Sequence, residues 1–410
     1  DSERELVRRI AAAGRIIDEL YAEQNGGLRW REALAPGDAA SRTLYERNHG
    51  PWCEAPATER DPFCNAVPSF PARKSDAYPQ NLSQDGAMCD ELKARRDGKA
   101  LLDPFTVVRE KNGKLVAVPL TEAYGPKMKL VAVELRAAAA AQGADEAALK
   151  AYLLAAAAGF ETGDWAEADE AWSRMGSRNS KWYLRVAPDE VEFDPCQEKA
   201  GFHVSFARID ATSLSWQDKL TPLRQEMEDS LSKLVGGAYK ARPVAFGLPD
   251  FIEIVLNSGD SKPPLGATIG QSLPNWGKVA EENRRRTVVM TNLYEDSDSR
   301  KTAREKAGEL LDEQALKNYP SDKEAGLVGT ILHEATHNLG PHSDSKINGK
   351  TAAEIFGGRM EGVLEELKAQ TGALWYVELL HKKGLLSDHL VRETYTHELA
   401  WCFGHISNGM

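Results

Sequence analysis

The 410-residue sequence lacks several features that mark common classes of protein. No apolar run approaches 18 residues, which argues against a transmembrane helix. No basic block is present and the formal net charge is −11, so nucleic acid and anionic membranes are not expected partners. The Gly/Pro-rich run at 263–277 matches neither a P-loop nor a G-x-G-x-x-G fingerprint. That run fits either a loop lining a cleft or a plain connector.

Cysteine is scarce, and none of the five cysteines has the C-x-x-C spacing of a metal site. Cys53, Cys64 and Cys89 cluster in a Pro-rich, irregular stretch, where we predict a Cys53–Cys64 disulfide. The sequence begins at Asp1 without an initiator Met, so either a leader was removed or the sequence was trimmed. Together with the predicted bridge, we favour an exported protein, periplasmic or extracellular, whose leader was removed. The alternative is a cytoplasmic protein with buried, reduced thiols.

The length exceeds the usual limit of one hydrophobic core, so two lobes are expected. We predict a mostly helical α+β protein with a cleft between its lobes. Residues 1–280 would form an N-terminal mixed α/β lobe of helices and loops, with a small β-sheet or barrel at about 180–260. Residues 281–410 would form a C-terminal helical lobe that binds a metal.

Hydrophobic periodicity and turn residues predict the individual elements. A Lys-Asn-Gly-Lys turn between Val-rich flanks indicates a hairpin at 107–119. Helices are predicted at 1–25, 85–102, 127–159, 165–175, 216–234, 299–317, 321–339, 351–382 and 387–403. Strands are predicted at 182–186, 191–193, 202–207, 244–256 and 287–293.

The helix at 321–339 contains His333-Glu334-Ala335-Thr336-His337, an H-E-x-x-H motif. Residues four apart on a helix lie one above the other, so both imidazoles can reach a single Zn²⁺ at about 2.0–2.1 Å. Glu334 is adjacent, where a carboxylate can take a proton from metal-bound water. Ser321 and Glu324 would form a capping box at the start of the helix, and Gly340 would end it. The alternative is two surface histidines that happen to be four residues apart.

A catalytic zinc usually takes a third protein ligand, and three candidates follow the motif. His342 is one residue short of the metzincin spacing, which would place a histidine at Ser343. Glu365 and Glu366 lie on the next helix, about 100° apart around its axis, so only one of them can point at the metal. The residues by themselves leave this choice open.

HEATHNLGPH followed by EELKAQ resembles the dipeptidyl-peptidase III family of zinc metallopeptidases, particularly its bacterial relatives with a five-residue histidine motif. The resemblance covers about residues 160–410. It implies that Glu366 is the third ligand of one zinc ion. It also implies that Gln370, which replaces an acid of the family motif, supports a ligand histidine through a hydrogen bond. His342 remains a further candidate near the ligands.

The sequence therefore predicts a zinc metallopeptidase acting on peptides, and the resemblance implies release of dipeptides from the N-terminus. Two alternatives stay open. The first is a zinc hydrolase of non-peptide amides or esters. The second is a non-catalytic binding protein derived from a peptidase, which Gln370 and the end of the chain at Met410 would permit.

Overall fold

The structure is a computed structural model. It describes residues 2–54, 58, 61, 63–191, 193–237, 239–244, 248–262, 270–282, 284–341 and 345–407, and all structural statements below refer to these.

The described residues form mainly helices. The helices are α1 (Ser2–Gln24), α2 (Ala39–Asn48), α3 (Gly86–Ala94), α4 (Gly98–Leu101), α5 (Leu120–Ala123), α6 (Gly125–Ala140), α7 (Ala147–Thr162), α8 (Ala166–Arg174), α9 (Ala211–Leu220), α10 (Arg224–Val235), α11 (Gly277–Glu281), α12 (Asn292–Glu295), α13 (Ser297–Leu310), α14 (Glu313–Leu316), α15 (Glu324–His337), α16 (Ala352–Phe356), α17 (Gly358–Lys382) and α18 (Asp388–Ser407). The strands are β1 (Thr106–Lys111), β2 (Lys114–Pro119), β3 (Trp182–Glu190), β4 (Gly201–Ile209), β5 (Asp250–Gly259), β6 (Gly270–Leu273) and β7 (Arg286–Met290). The predicted class, α+β and mostly helical, is confirmed.

The chain divides into two compact units. The first comprises Asp1–Ile209 with Ile252–Met290, and the second comprises Asp210–Phe251 with Thr291–Met410. The predicted boundary at residue 280 remains a prediction, and these units divide the chain differently. Strand β7 continues the sheet beyond residue 280, while α9 and α10 leave the sheet and group with the C-terminal helices.

The first unit is built around a five-stranded sheet of order β3-β4-β5-β7-β6. Strands β3 and β4 pair antiparallel in the register Trp182↔Arg208, and nearly all their residues are buried. Helix α7 lies against β3, where the Tyr152 hydroxyl accepts a hydrogen bond from the Val186 amide at 2.8 Å. Strand β6 was not predicted, and it occupies part of the Gly/Pro-rich run whose residues 263–269 lie outside the described part.

Two disulfides occur in the first unit. The predicted Cys53–Cys64 bridge is present, and a second bridge joins Cys89 to Cys196 across 107 residues.

The predicted hairpin is also confirmed, since β1 and β2 pair antiparallel. Its turn needs positive φ at both Asn112 (54°) and Gly113 (73°), which Asn-Gly provides.

The second unit is helical, and a residue of α10 forms a hydrogen bond with the segment that directly follows α15. Glu228 on α10 is fully buried, and its carboxylate accepts hydrogen bonds from the Gly340 amide at 2.8 Å and the Tyr239 hydroxyl at 2.5 Å. Gly340 has φ of +70°, the left-handed conformation that ends many helices. The predicted stop of the H-E-x-x-H helix near Gly340 is therefore confirmed. No helix in the described residues has both the length and the apolar character needed to span a membrane.

Several predicted elements were wrong in detail. The predicted strand at 191–193 does not form at Val191 or Phe193, because the chain turns around Asp194, which accepts hydrogen bonds from the Glu198 and Lys199 amides.

The predicted helix at 216–234 is two helices, α9 and α10, separated by a turn containing Pro222. Asp210 caps α9 by accepting a hydrogen bond from the Thr212 amide at 2.8 Å. The helix predicted at 351–382 is likewise divided, because Gly357 adopts φ of +87° between α16 and α17.

Candidate metal centre

Helix α15 positions the H-E-x-x-H motif through its apolar face. Burial of this face turns the two histidines toward the partly open side. The buried residues are Leu327, Val328, Ile331, Leu332 and Ala335. The predicted capping box of Ser321 and Glu324 is wrong, because the helix begins at Glu324 itself. Lys323 is the N-cap residue and makes no side-chain cap, while the carboxylate of Asp322 before it accepts a hydrogen bond from the Glu324 amide at 2.9 Å.

The two imidazoles of the motif meet through the same ring nitrogen. His333 Nε2 lies 3.2 Å from His337 Nε2, and the rings cross at 79°. Their side chains are 17 % and 26 % exposed, so the pair is neither sealed in the core nor spread on an open face. The alternative, two surface histidines that happen to be four residues apart, does not account for two ring nitrogens that converge on one point.

Helix α17 brings a carboxylate to the same point. Glu366 Oε2 lies 3.2 Å from His333 Nε2 and 3.8 Å from His337 Nε2. Ligands about 2.0–2.1 Å from a tetrahedral zinc stand roughly 3.3–3.4 Å apart. Two of the observed separations, both 3.2 Å, are close to this spacing, and the third is longer at 3.8 Å. Two neutral imidazole nitrogens and one carboxylate oxygen are also the donors that a catalytic zinc takes. The residues therefore fit a zinc ion.

The other nitrogen of each imidazole has a hydrogen-bond partner on α17. Gln370 Oε1 lies 3.0 Å from His333 Nδ1, and Glu365 Oε1 lies 3.0 Å from His337 Nδ1. A carboxylate accepts but does not donate, so His337 carries its proton on Nδ1 and keeps the Nε2 lone pair for a metal. The sequence predicted Glu365 only as an alternative ligand. The two adjacent acids of EELKAQ lie near different nitrogens of His337, Glu365 at Nδ1 and Glu366 near Nε2. The sequence could not assign them, because the assignment depends on how α17 is rotated about its axis.

Electrostatics around His337 follow from these contacts. The hydrogen bond with Glu365 raises the pKa of His337. Partial burial would raise the pKa of Glu365, but hydrogen bonds with His337 and Lys368 outweigh it and lower that pKa. Lys368 Nζ lies 2.9 Å from Glu365 Oε1 and also donates to the Pro341 carbonyl. Glu365 is thus held in its charged form beside the imidazole.

Glu334 lies within the same group of potential ligands. His333, Glu334 and His337 each offer a donor atom, and these atoms lie within 4.8 Å of one another. Burial raises the pKa of Glu334, and this effect is larger than the opposing attraction of the two imidazoles. A carboxyl group with a raised pKa beside a potential metal position is suited to accept and return a proton near neutral pH.

Close helix packing holds this geometry. Gly372 on α17 faces Thr336 on α15, and a Cβ added at Gly372 would lie only 2.5 Å from Thr336 Cγ2. Gly329 on α15 similarly faces Glu398 on α18, leaving no room for a side chain. The small residues let the three helices approach closely, so that short side chains from α15 and α17 meet.

His342 lies outside the described residues, so its candidacy remains a prediction. His203 is fully buried in the first unit, where its Nε2 lies 2.8 Å from Asp189 Oδ2 and its Nδ1 contacts Ser261 Oγ. Asp189 also forms an ion pair with Arg185, which is 1 % exposed, so His203 belongs to a buried charge network.

The fold and the site define an α+β protein with an H-E-x-x-H helix packed against a glutamate-bearing helix. Among solved structures, the chain is similar to dipeptidyl-peptidase III from Caldithrix abyssi, with a TM-score of 0.82, 24 % identity, and coverage of 99 % of this chain and 76 % of that one. It is also similar to dipeptidyl-peptidase III from Corallococcus sp. strain EGB, with a TM-score of 0.67, 23 % identity, and coverage of 97 % and 74 %. The chain therefore has the dipeptidyl-peptidase III fold, and the predicted resemblance to that family is confirmed at the level of the fold.

Comparisons with family models and with curated sequences add two findings. No family model matches the chain. Among curated proteins, it is similar to Nudix hydrolase 3 of Arabidopsis thaliana, with 27 % identity over 316 residues, or 73 % of this chain. The matched region spans 38 % of the length of that protein.

Proposed function

We propose that the protein is a zinc-dependent metallopeptidase. The observation that carries the proposal is the convergence of His333 Nε2, His337 Nε2 and Glu366 Oε2, separated by 3.2, 3.2 and 3.8 Å. The hydrogen bonds behind the imidazoles support it, because such partners orient ligand histidines in metal sites. The dipeptidyl-peptidase III fold supports a peptide as the substrate.

The residues would divide the work as follows. His333, His337 and Glu366 would hold one zinc ion, which when bound lowers the pKa of a coordinated water and polarises a carbonyl group. Glu334 would accept a proton from the attacking water on its carboxylate and then deliver that proton to the leaving amine. Glu365 and Gln370 would keep the imidazole protons on Nδ1, away from the ligand positions.

Two finer proposals concern the released product and the compartment. Release of dipeptides from peptide N-termini is proposed from the fold of the two dipeptidyl-peptidase III structures. Export from the cytoplasm is supported by the two disulfides, since such bridges persist mainly in oxidising compartments.

Elemental analysis combined with a reconstitution assay tests the proposal. The purified protein should carry one zinc per chain, lose activity on a panel of dipeptidyl and aminoacyl reporters after chelation, and regain it with zinc. His337→Ala should lose most bound zinc. His381→Ala is the matched control, because His381 also lies on a helix of the same unit but pairs with Asp388 at 2.7 Å.

The outcomes separate the alternatives. Cleavage of ester or non-peptide amide reporters alone would replace the peptidase by another zinc hydrolase. Full zinc binding with no turnover on any reporter, unchanged by Glu334→Gln, would favour the non-catalytic binding protein. Equal zinc content in His337→Ala and His381→Ala would remove the proposed site altogether.

A further inference from the structure

A buried carboxylate on α18 lies behind the hydrogen bond to His333. Glu398 is 7 % exposed, and its Oε2 accepts a hydrogen bond from Gln370 Nε2 at 2.7 Å. The other end of the same amide, Gln370 Oε1, lies 3.0 Å from His333 Nδ1. Glu398, Gln370 and His333 thus form a continuous chain that ends at the imidazole proposed to bind zinc.

We propose that Glu398 is a positioning residue that fixes the orientation of the Gln370 amide and thereby selects the tautomer of His333. The inference rests on the metal site of the proposed function. It assigns a role to a residue outside both the H-E-x-x-H motif and the glutamate helix.

The argument follows from the donors and acceptors available. An ionised carboxylate only accepts, so the Gln370 NH₂ group must face Glu398 and the amide oxygen must face His333. An oxygen can only accept from the imidazole, so the proton of neutral His333 sits on Nδ1. The Nε2 lone pair is then free for the metal of the proposed function, and His337 Nε2 and Glu366 Oε2 each lie 3.2 Å from this nitrogen.

The opposite amide orientation would be harmful in two ways. It would set the amide oxygen against the Glu398 carboxylate, two acceptors with no proton between them. It would also present NH₂ to His333 Nδ1, which favours the proton on Nε2, where it blocks metal binding. An amide by itself has no preference between these orientations, whereas the acid at this position in the family motif would need no such selection.

The packing keeps Glu398 in place. Its Oε1 lies 3.1 Å from His397 Nδ1, so both carboxylate oxygens have partners. Gly329 faces this oxygen across the α15–α18 contact, and an added Cβ there would come closer to Oε1 than real Cβ atoms come to any neighbour. The carboxylate is therefore confined between the glycine of one helix and the amide of another.

The first test measures the tautomer in the metal-free protein by ¹⁵N NMR of the imidazoles, with His333 assigned by substitution. Wild type should show His333 protonated on Nδ1. Glu398→Gln should shift a measurable fraction to the Nε2-protonated form, because an amide at 398 can either accept or donate. Glu393→Gln is the matched control, since Glu393 lies on the same helix with the same 9 % side-chain exposure and contacts His389.

The second test measures zinc affinity by competition with a chelator. Glu398→Gln should raise the Kd about 10-fold, the lower end of the ~10–100-fold range for partners of metal ligands, while Glu393→Gln should leave it unchanged. Gln370→Glu places two carboxylates together and should also weaken binding. The exchanged pair Gln370→Glu/Glu398→Gln should restore affinity, because an acid then contacts His333 directly and the new amide donates to it.

The results separate this inference from the proposed function. If wild type binds no zinc, the metal site fails, and the tautomer measurement still decides the role of Glu398. An Nε2-protonated His333 in wild type overturns the inference whether or not the variants fold. If wild type binds zinc, the inference is also overturned when Glu398→Gln has the same zinc Kd and the same His333 tautomer as wild type. An equal loss of zinc affinity in Glu393→Gln and Glu398→Gln overturns it as well.

Discussion

A single methyl group added where α15 and α17 touch should weaken zinc binding. The Cβ of Gly372→Ala would lie 2.5 Å from Thr336 Cγ2, whereas carbon atoms in contact prefer about 3.5 Å or more. The helices must therefore separate or rotate by roughly 1 Å. Glu366 lies on α17 and both histidines lie on α15, so the separations of 3.2 and 3.8 Å between carboxylate and imidazoles would change directly.

The expected loss of zinc affinity follows from two general magnitudes. Metal–ligand distances in functional sites hold to about ±0.2 Å, which is several times smaller than the required shift. Overpacking by a methyl group typically costs about 1–3 kcal/mol, and 1.4 kcal/mol corresponds to about a tenfold change in Kd. We expect Gly372→Ala to raise the zinc Kd about tenfold or more.

Competition with a chelator gives the Kd, and thermal unfolding of the metal-free form gives the stability. Gly362→Ala is the matched control, because it lies on the same helix and no described atom would lie within 4 Å of its Cβ. Both variants gain the same helix propensity, about 0.5–1 kcal/mol, so their difference reports packing. Thr336→Ser removes the clashing methyl but keeps the hydroxyl that donates to the Leu332 carbonyl, and should rescue Gly372→Ala. Equal zinc affinities for the two alanine variants would refute the reasoning.

Four further predictions concern catalysis and stability. Glu334→Gln should keep its zinc but lose about 10²–10⁴-fold in kcat. In wild type, kcat/KM should fall as the pH drops through the raised pKa of Glu334. The acid limb of the pH profile should therefore lie above the usual pKa of a glutamate, and a limb at or below that pKa contradicts the prediction. Asp189→Asn should lower the free energy of unfolding in urea by about 3 kcal/mol, the lower end of the ~3–5 kcal/mol range for breaking a buried pair, because it removes the bidentate partner of the buried Arg185 and leaves only Asp169 as an ion-pair partner among the described residues. Asp97→Asn in an exposed pair should leave the midpoint unchanged. Replacing Cys89 and Cys196 by Ser should lower the free energy of unfolding by about 5 kcal/mol, as expected for a bridge that closes a 107-residue loop. An unchanged Tm would contradict this prediction.

Burial of Asp189 would raise its pKa, but the Arg185 guanidinium and His203 hold that pKa below its usual range. A carboxylate with a lowered native pKa stabilises the fold above its unfolded-state pKa. That stability is lost as pH falls toward the native pKa. The first unit should therefore lose stability in acid, and Asp189→Asn should flatten this dependence in unfolding curves measured between neutral and strongly acidic pH.

Local patterns determined much of this protein. The H-E-x-x-H spacing on a helix placed both imidazoles on one face because helical geometry depends only on the backbone repeat. The Asn-Gly turn likewise determined a hairpin, since few other residue pairs adopt positive φ twice. The Cys53–Cys64 bridge was predictable because only 11 residues separate its ends.

Only the tertiary structure decided the partners of those patterns. The rotation of α17 makes Glu365 a support for His337 and brings Glu366 to the other side, which a spacing of one residue could not distinguish. The role of Glu398 depends on α18 lying against Gly329, and the Cys89–Cys196 bridge depends on a contact between distant segments. Such contacts arise from packing between elements far apart in the chain, and helical periodicity carries no information about which element lies opposite.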